Sequence, residues 1–176
     1  MIQLLRTYGP AFLLAALALM AVMAGVGIAA LVSARRRGVR INARAVNAVC
    51  LAGSLTVLAV VTMTPQYGGR QVNLTPGAGL TIGPDGRLLA YNILGNAFLF
   101  APLGMFLPGT FGWARSVRKL LVAALLVSVS IEATQYLLAL GRIADINDVI
   151  VNSAGAVGGW ALWRAAVRWS PELVAQ

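Results

Sequence analysis

The sequence contains no histidine and only one cysteine, and each shortage excludes a class of chemistry. Without histidine there can be no imidazole-activated nucleophile, no imidazole proton relay and none of the common zinc ligand sets. Cys50 has no intrachain disulfide partner, and because it lies in an apolar run we interpret it as a packing residue. Any chemistry must therefore use carboxylates, amides, arginine or hydroxyl groups.

Charge is also scarce and is mostly of one sign. Only 11% of the residues are charged, with 14 Lys and Arg against 5 Asp and Glu, whereas 59% are hydrophobic. This composition lies outside the range of soluble globular domains. The basic residues lie between long apolar runs, which is typical of topology signals and argues against a nucleic-acid-binding surface. The sequence predicts an all-α, polytopic transmembrane bundle.

Five apolar segments are long enough to cross a bilayer, which takes about 20 helical residues. They are predicted at about 10–32, 45–63, 88–107, 117–140 and 148–167. Pro102 lies within the third span, so we expect a kink or a break there. Residues 1–44 are then an N-terminal anchor helix with a basic cytoplasmic loop. Residues 45–176 are a four-helix membrane domain with an outer loop at 64–87, which we expect to be irregular or to contain a short hairpin.

The basic residues predict the orientation of the bundle, because Lys and Arg accumulate on the cytoplasmic side. Four of them lie in the segments on the outer side, namely Arg6, Arg70, Arg87 and Arg142. The others follow the first, third or fifth span, namely Arg35, Arg36, Arg37, Arg40, Arg44, Arg115, Arg118, Lys119, Arg164 and Arg168. We therefore expect the N-terminus outside and the C-terminus inside.

A few polar residues interrupt the outer ends of the last three spans, where an ionisable group costs a few kcal/mol. We expect them to converge in one site on the extracytoplasmic side. The candidate catalytic groups are Glu132, Asp145 and Asp148. The candidate substrate-binding residues are Arg142, Asn92, Asn96, Gln135 and Asn152. No cofactor or metal site is predicted, since the carboxylate spacing fits no standard cation-binding loop.

Structural roles compete with these interpretations. Asp145 with Asp148 three residues later also fits a capping box, and Arg142 also fits a surface ion pair of little energetic value. Asn92 and Asn96 also fit interhelical hydrogen bonds. Glu132 is the hardest to explain structurally, because a carboxylate at that depth takes up a proton, pairs with Arg142 or faces a hydrated cavity.

Small residues near the start of the fifth span indicate close helix packing. They are Ala154, Gly155, Ala156, Gly158 and Gly159. Because such residues let helix backbones approach each other, we interpret this set as a packing surface and not as a ligand contact.

Several short motifs occur in a specific order along the chain. They are Asn73-Leu74-x-Pro76, Asn92-x-x-x-Asn96, Pro102-Leu103-Gly104, Glu132-x-x-Gln135 and Gly141-Arg142-x-x-Asp145-x-x-Asp148-x-x-x-Asn152. Together they resemble the VanZ-like family over about residues 72–160. The chain departs from the family at Gly77, where an aromatic residue is usual. The candidate site residues named above match the family's motif positions.

The resemblance implies a bacterial cell-envelope protein of the cytoplasmic membrane, and the family's namesake is associated with resistance to the glycopeptide teicoplanin. It does not imply a reaction, so whether the chain is an enzyme stays open. The first hypothesis is a site that binds or processes an anionic lipid-linked headgroup, with Arg142 as anchor and Glu132 or Asp148 as acid or base. The expected partner is a membrane lipid or a lipid-linked cell-wall intermediate. A non-enzymatic accessory module and a proton-coupled transporter are the alternatives.

Overall fold

The computed structural model describes residues 42–66, 69–78 and 86–169, together with Gly25 and Arg37, and it describes side chains from residue 93 onward in the helix that begins at Gly86. The predicted first span lies outside the described residues except for Gly25. The predicted helical class is confirmed, and the described residues contain four α-helices of the five predicted.

These four helices correspond to the second to fifth predicted spans. They are α1 (Ala43–Met63), α2 (Gly86–Thr110), α3 (Val117–Leu137) and α4 (Ile146–Trp169). A short 3-10 helix, Gly112–Arg115, connects α2 to α3. The cap of α1 is Asn42, whose side-chain oxygen accepts a hydrogen bond from the backbone N–H of Ala45 at 3.1 Å. After α3 the backbone turns at Ala139, where φ is +51°.

The break predicted at Pro102 does not occur. Helix α2 continues through both Pro102 and Pro108. A proline inside a helix removes one backbone hydrogen bond, so another interaction must hold this helix together. Its buried side chains, among them Phe100 and Leu103, belong to the hydrophobic core of the bundle. Tertiary packing therefore maintains a helix that the local sequence alone disfavours.

Among the residues that the structure describes, three helical segments are long and apolar enough to cross a membrane. They are Ala43–Met63, Ile93–Thr110 and Val117–Leu137. Helix α4 has 24 residues, but its buried face carries Asn147, Asn152 and Ser153, and it is not among the apolar spans. The chain therefore has the helices of a membrane protein, whereas the crossing by the fifth predicted span stays a prediction.

Helices α2 and α4 pack with their backbones in contact, because three glycines at the interface have no side chain to hold the helices apart. A methyl group on Gly155 would overlap the carbonyl group of Ala97, and one on Gly159 would overlap that of Ala101. From the opposite side, a methyl group on Gly104 would overlap the carbonyl group of α4 at residue 156. The predicted packing surface is confirmed at Gly155 and Gly159, but Gly158 faces open space.

The outer loop contains a strand that the sequence did not predict. β1 (Gln71–Asn73) pairs in parallel with β2 (Ile143–Asp145), so its partner lies just before α4 and not within a hairpin of the loop. The register places Asn73 opposite Asp145. This small sheet fixes the outer loop to the segment that carries three of the predicted site residues.

The contact between α2 and α4 predicts that alanine substitutions at two nearby glycines will differ strongly in their effect on stability. Gly155→Ala should lower the free energy of unfolding by about 1–3 kcal/mol, because the added methyl group must displace the backbone of α2. Gly158→Ala is the matched control and should be neutral or stabilising by up to about 1 kcal/mol, since alanine favours helix and this position is open. Thermal unfolding in detergent measures both, and equal midpoints would contradict the close packing.

Candidate functional site

Several of the predicted polar residues lie where α1 and α3 end and α4 begins. Glu132, in the last turns of α3, is 8% exposed and lies inside the bundle. One of its carboxylate oxygens, Oε2, accepts a hydrogen bond from the backbone N–H of Asp145 at 3.1 Å. The extended conformation of β2 presents this N–H to α3. The strand that precedes α4 therefore positions the deepest carboxylate of the bundle.

Arg142 lies within electrostatic reach of two carboxylates, and one of its donors has no partner among the described residues. Its Nη2 donates to the carbonyl of Val61 at 3.2 Å, whereas its buried Nε has no hydrogen-bond partner among the described residues. Burial lowers the pKa of Arg142 from its ordinary value, and the negative charges of Asp148 and Glu132 oppose this shift. The Asn96 amide in turn faces the Asp148 carboxylate. Arg142, Glu132, Asp148 and Asn96 therefore form one cluster, which we call the polar cluster.

Gln135 is buried and has a backbone partner. Its Nε2 donates to the carbonyl of Thr62 at 2.8 Å, one residue beyond the carbonyl that Arg142 binds. The last carbonyl groups of a helix have no partner within the helix and must be satisfied by other groups. Gln135 thus ties the end of α1 to α3, and the proton that it donates there is not available to a substrate.

Asn152 lies deeper in the bundle than the polar cluster. Its Nδ2 donates to Ser128 Oγ at 2.9 Å, whereas its Oδ1 and the hydroxyl of Ser153 are buried without a partner among the described residues. Ala124 and Leu120 lie one and two turns before Ser128 in α3, and neither has any exposed surface. The polar side chains therefore extend inward from the polar cluster to Ser128, where an apolar core begins.

Asp145 uses both carboxylate oxygens to hold the backbone and the neighbouring amides. Oδ1 accepts from the backbone N–H and from the side chain of Asn147, each at 2.8 Å, and Oδ2 accepts from Asn73 Nδ2 at 3.1 Å. This pattern agrees with the capping alternative for Asp145. The structure thus brings Asp145 next to the polar cluster but engages its side chain elsewhere.

Two asparagines that were not among the predicted site residues fasten the outer loop. Asn147 accepts from the backbone N–H of Gly77 at 2.8 Å and donates to the carbonyl of Ala78 at 3.0 Å. Asn73 bonds Asp145 across the sheet. The motif Asn73-Leu74-x-Pro76 was a signal for Asn73, whereas no spacing in the sequence distinguishes Asn147.

Arg70 also has a role that the sequence did not indicate. Its Nε and Nη2 donate to the carbonyls of Tyr136 and Leu137 at 3.0 and 2.8 Å, and its guanidinium lies 5.0 Å from the centroid of the Tyr136 ring. Arg70 therefore caps the end of α3 from the outer loop, as Gln135 and Arg142 do for α1.

The remaining predictions concern Asn92 and metal binding. Asn92 lies in α2 one turn before Asn96, but its side chain is outside the described residues. Within the described ranges, no group of three Asp, Glu or Cys side chains is arranged to hold a metal ion.

The hydrogen bonds of Asn147 predict that it holds the outer loop in place. Asn147→Ala should accelerate hydrogen exchange at the Gly77 backbone N–H and destabilise the fold by about 1–3 kcal/mol, because two hydrogen bonds of about 0.5–1.5 kcal/mol each are lost. Leu74→Ala is the control in the same loop, since Leu74 is 74% exposed. Exchange measured by mass spectrometry should not change in that variant; equal protection in the two variants would rule out the role of Asn147.

Similarity to known proteins is found at the level of the family. A family model described as VanZ/LLP1 matches residues 12–168, which include all four described helices except the last residue of α4. No curated protein and no solved structure matches the chain.

Proposed function

From the premise that the chain belongs to the VanZ/LLP1 family, we propose that this membrane protein binds the anionic headgroup of a lipid-linked molecule at the polar cluster. The headgroup would be a phosphate or a related oxyanion. Its source would be a membrane lipid or a lipid-linked cell-wall intermediate, reached from the extracytoplasmic side of the bacterial cytoplasmic membrane.

The observation that carries this proposal is the unpartnered Nε of Arg142. A buried donor on a charged group without an acceptor is costly, so native proteins rarely leave one unsatisfied. Guanidinium N–H groups match the oxygens of phosphate and carboxylate in geometry and charge. An anionic headgroup would supply the missing acceptor, and an ordered water would be its substitute in the unliganded protein.

Glu132 and Asp148 are the groups available for acid or base chemistry. Asp145 is engaged by Asn73 and Asn147, and Gln135 is engaged by the backbone of α1, so both are assigned to positioning. Glu132 uses Oε2 to accept from Asp145, which leaves Oε1 as the oxygen for acid or base chemistry. If the bound headgroup is processed, we assign proton transfer to Glu132 or Asp148.

A non-enzymatic accessory module is the second candidate, and a specific observation favours it. Three of the predicted site residues, Gln135, Asp145 and Asn152, have structural partners within the bundle. A proton-coupled transporter has less support, because the buried face of α3 changes from polar at Ser128 to apolar at Ala124 and Leu120. A transport path would need polar groups that continue through that layer.

The proposed orientation follows from the two ends of the bundle. Trp160 of α4 donates to the carbonyl of Arg115 at 3.1 Å, at the end opposite the polar cluster, so α4 and the basic residues Arg115, Arg118 and Lys119 share that end. The positive-inside rule would make it cytoplasmic. A link to glycopeptide resistance belongs to the same proposal, since a cell-wall intermediate is one of the two expected ligand sources.

The proposal predicts that Arg142 and Arg70 differ in anion binding. Arg142→Ala should weaken binding of an anionic phospholipid by about 10- to 100-fold, the range expected for lost hydrogen bonds to a charged group. Arg70→Ala removes the same charge from the same end of the bundle but leaves the polar cluster intact, so binding should change less than about twofold. Native mass spectrometry with phosphatidic acid measures both affinities. Equal losses would show that only the net charge of this end of the bundle matters and would contradict the proposed site.

Glu132→Gln separates a chemical role from a structural one. The glutamine oxygen can still accept from the Asp145 N–H, so the variant should fold, but it cannot donate and accept a proton as a carboxyl group does. We expect it to lose complementation of a strain that lacks the gene, with normal membrane insertion. Full complementation would remove Glu132 from any chemistry and favour the accessory module.

A further inference from the structure

The polar cluster contains more negative than positive charge. Glu132 and Asp148 supply two carboxylates, and among the described residues Arg142 is the one basic side chain within electrostatic reach of both. Asp145 adds a third carboxylate at the edge of the cluster, although amide groups hold both of its oxygens. Arg142 can balance only one carboxylate. At least one more needs a positive group or a proton, because like charges that share a site disfavour each other's ionisation.

The positive and negative groups of the cluster are also held apart. Arg142 donates to a carbonyl of α1, and neither Glu132 nor Asp148 accepts a hydrogen bond from it within the described part of the chain. Guanidinium and carboxylate groups that pair directly frequently do so through two parallel hydrogen bonds. Here each carboxylate has its own anchor instead, which is a backbone N–H of β2 for Glu132 and the Asn96 amide of α2 for Asp148. The fold therefore keeps the opposite charges separate.

Separated charges of this kind match a headgroup that itself carries both signs. Its oxyanion would bind Arg142, whose Nε has no partner among the described residues. Its cationic group would lie between Glu132 and Asp148, where Glu132 uses only one oxygen for its hydrogen bond to β2. A primary ammonium has three N–H donors for these carboxylates. A quaternary ammonium has none and is recognised by aromatic rings, whereas none of the four side chains of the polar cluster is aromatic.

We propose that the polar cluster binds a headgroup that carries a phosphate or related oxyanion together with a primary ammonium group. The oxyanion lies on Arg142, and the ammonium group lies between Glu132 and Asp148. This inference rests on the proposed headgroup site and narrows its ligand class to amine-bearing headgroups. An ethanolamine phospholipid and an amine-bearing lipid-linked intermediate share this chemistry.

The test uses three phospholipids that have the same acyl chains and different headgroups, namely phosphatidic acid, phosphatidylethanolamine and phosphatidylcholine. Native mass spectrometry of the full chain in detergent measures the affinity for each lipid. The unmodified chain should bind phosphatidylethanolamine about 10- to 100-fold more tightly than phosphatidylcholine, because only the primary ammonium can donate hydrogen bonds to the carboxylates. Equal affinities for these two lipids would overturn the proposal.

Two carboxylate variants show whether Glu132 and Asp148 supply this selectivity. Glu132→Gln and Asp148→Asn should each weaken phosphatidylethanolamine binding by about tenfold or more. Phosphatidic acid is the internal control, and its binding should stay the same or become tighter, because each variant removes a negative charge near the phosphate. Thermal unfolding confirms that each variant is folded, and either one suffices if the other is not. If a proton balances the second carboxylate instead, the neutral variants should bind all three lipids as the unmodified chain does, which would overturn the proposal.

Arg142→Ala separates this inference from the headgroup site on which it rests. This variant should weaken both phosphatidic acid and phosphatidylethanolamine, because both lipids present a phosphate to Arg142. If it weakens both while the carboxylate variants change neither, the headgroup site stands and the ammonium group is overturned. If Arg142→Ala changes neither lipid, the headgroup site itself is overturned.

The lipids that copurify with the chain from membranes identify the source of the ligand. Mass spectrometry should detect an amine-bearing lipid with the unmodified chain that is absent from Arg142→Ala. The mass of a glycerophospholipid would identify a membrane lipid, and that of a polyprenyl-linked molecule would identify a lipid-linked intermediate; either agrees with the proposal. A lipid released by Arg142→Ala whose headgroup has no amine would contradict it.

Discussion

The polar end of this bundle depends on one constraint, which is that backbone carbonyl groups at helix ends must find partners outside their own helix. Helices α1 and α3 both end there. Gln135 and Arg142 bind the last carbonyls of α1, and Arg70 binds those of α3. These three side chains come from three different segments, so satisfying the helix ends also draws the outer loop and the start of α4 into one structure.

This requirement divides the polar residues into two groups. Asp145 uses both carboxylate oxygens and Gln135 uses its amide donor to hold the fold, whereas Arg142 Nε has no partner and Glu132 accepts through one oxygen only within the described part of the chain. The first group keeps the second in place, since the backbone N–H of Asp145 reaches Glu132 only while β2 is held beside β1. Such support by neighbouring polar groups is what a binding site needs to keep its geometry.

The sequence by itself determined the helical membrane class, four of the helix positions and the polar residues whose burial requires a partner or a function. Apolar runs of about 20 residues fix where helices form, because the bilayer leaves few other structures possible. The cost of burying ionisable groups singled out Glu132 and Arg142 in the same way. Gly155 and Gly159 were identified as packing residues because small side chains at helical spacing indicate close approach.

Only the tertiary structure decided which polar groups are free and which are engaged. The pairing of β1 with β2 joins segments about 70 residues apart in sequence, and no local pattern encodes such a contact. The same holds for Asn147, whose partners lie in the outer loop, and for Pro102, where packing against the core overrides a local preference to break the helix. Residue identity sets what a side chain is able to bind, but its neighbours in the folded chain set what it does bind.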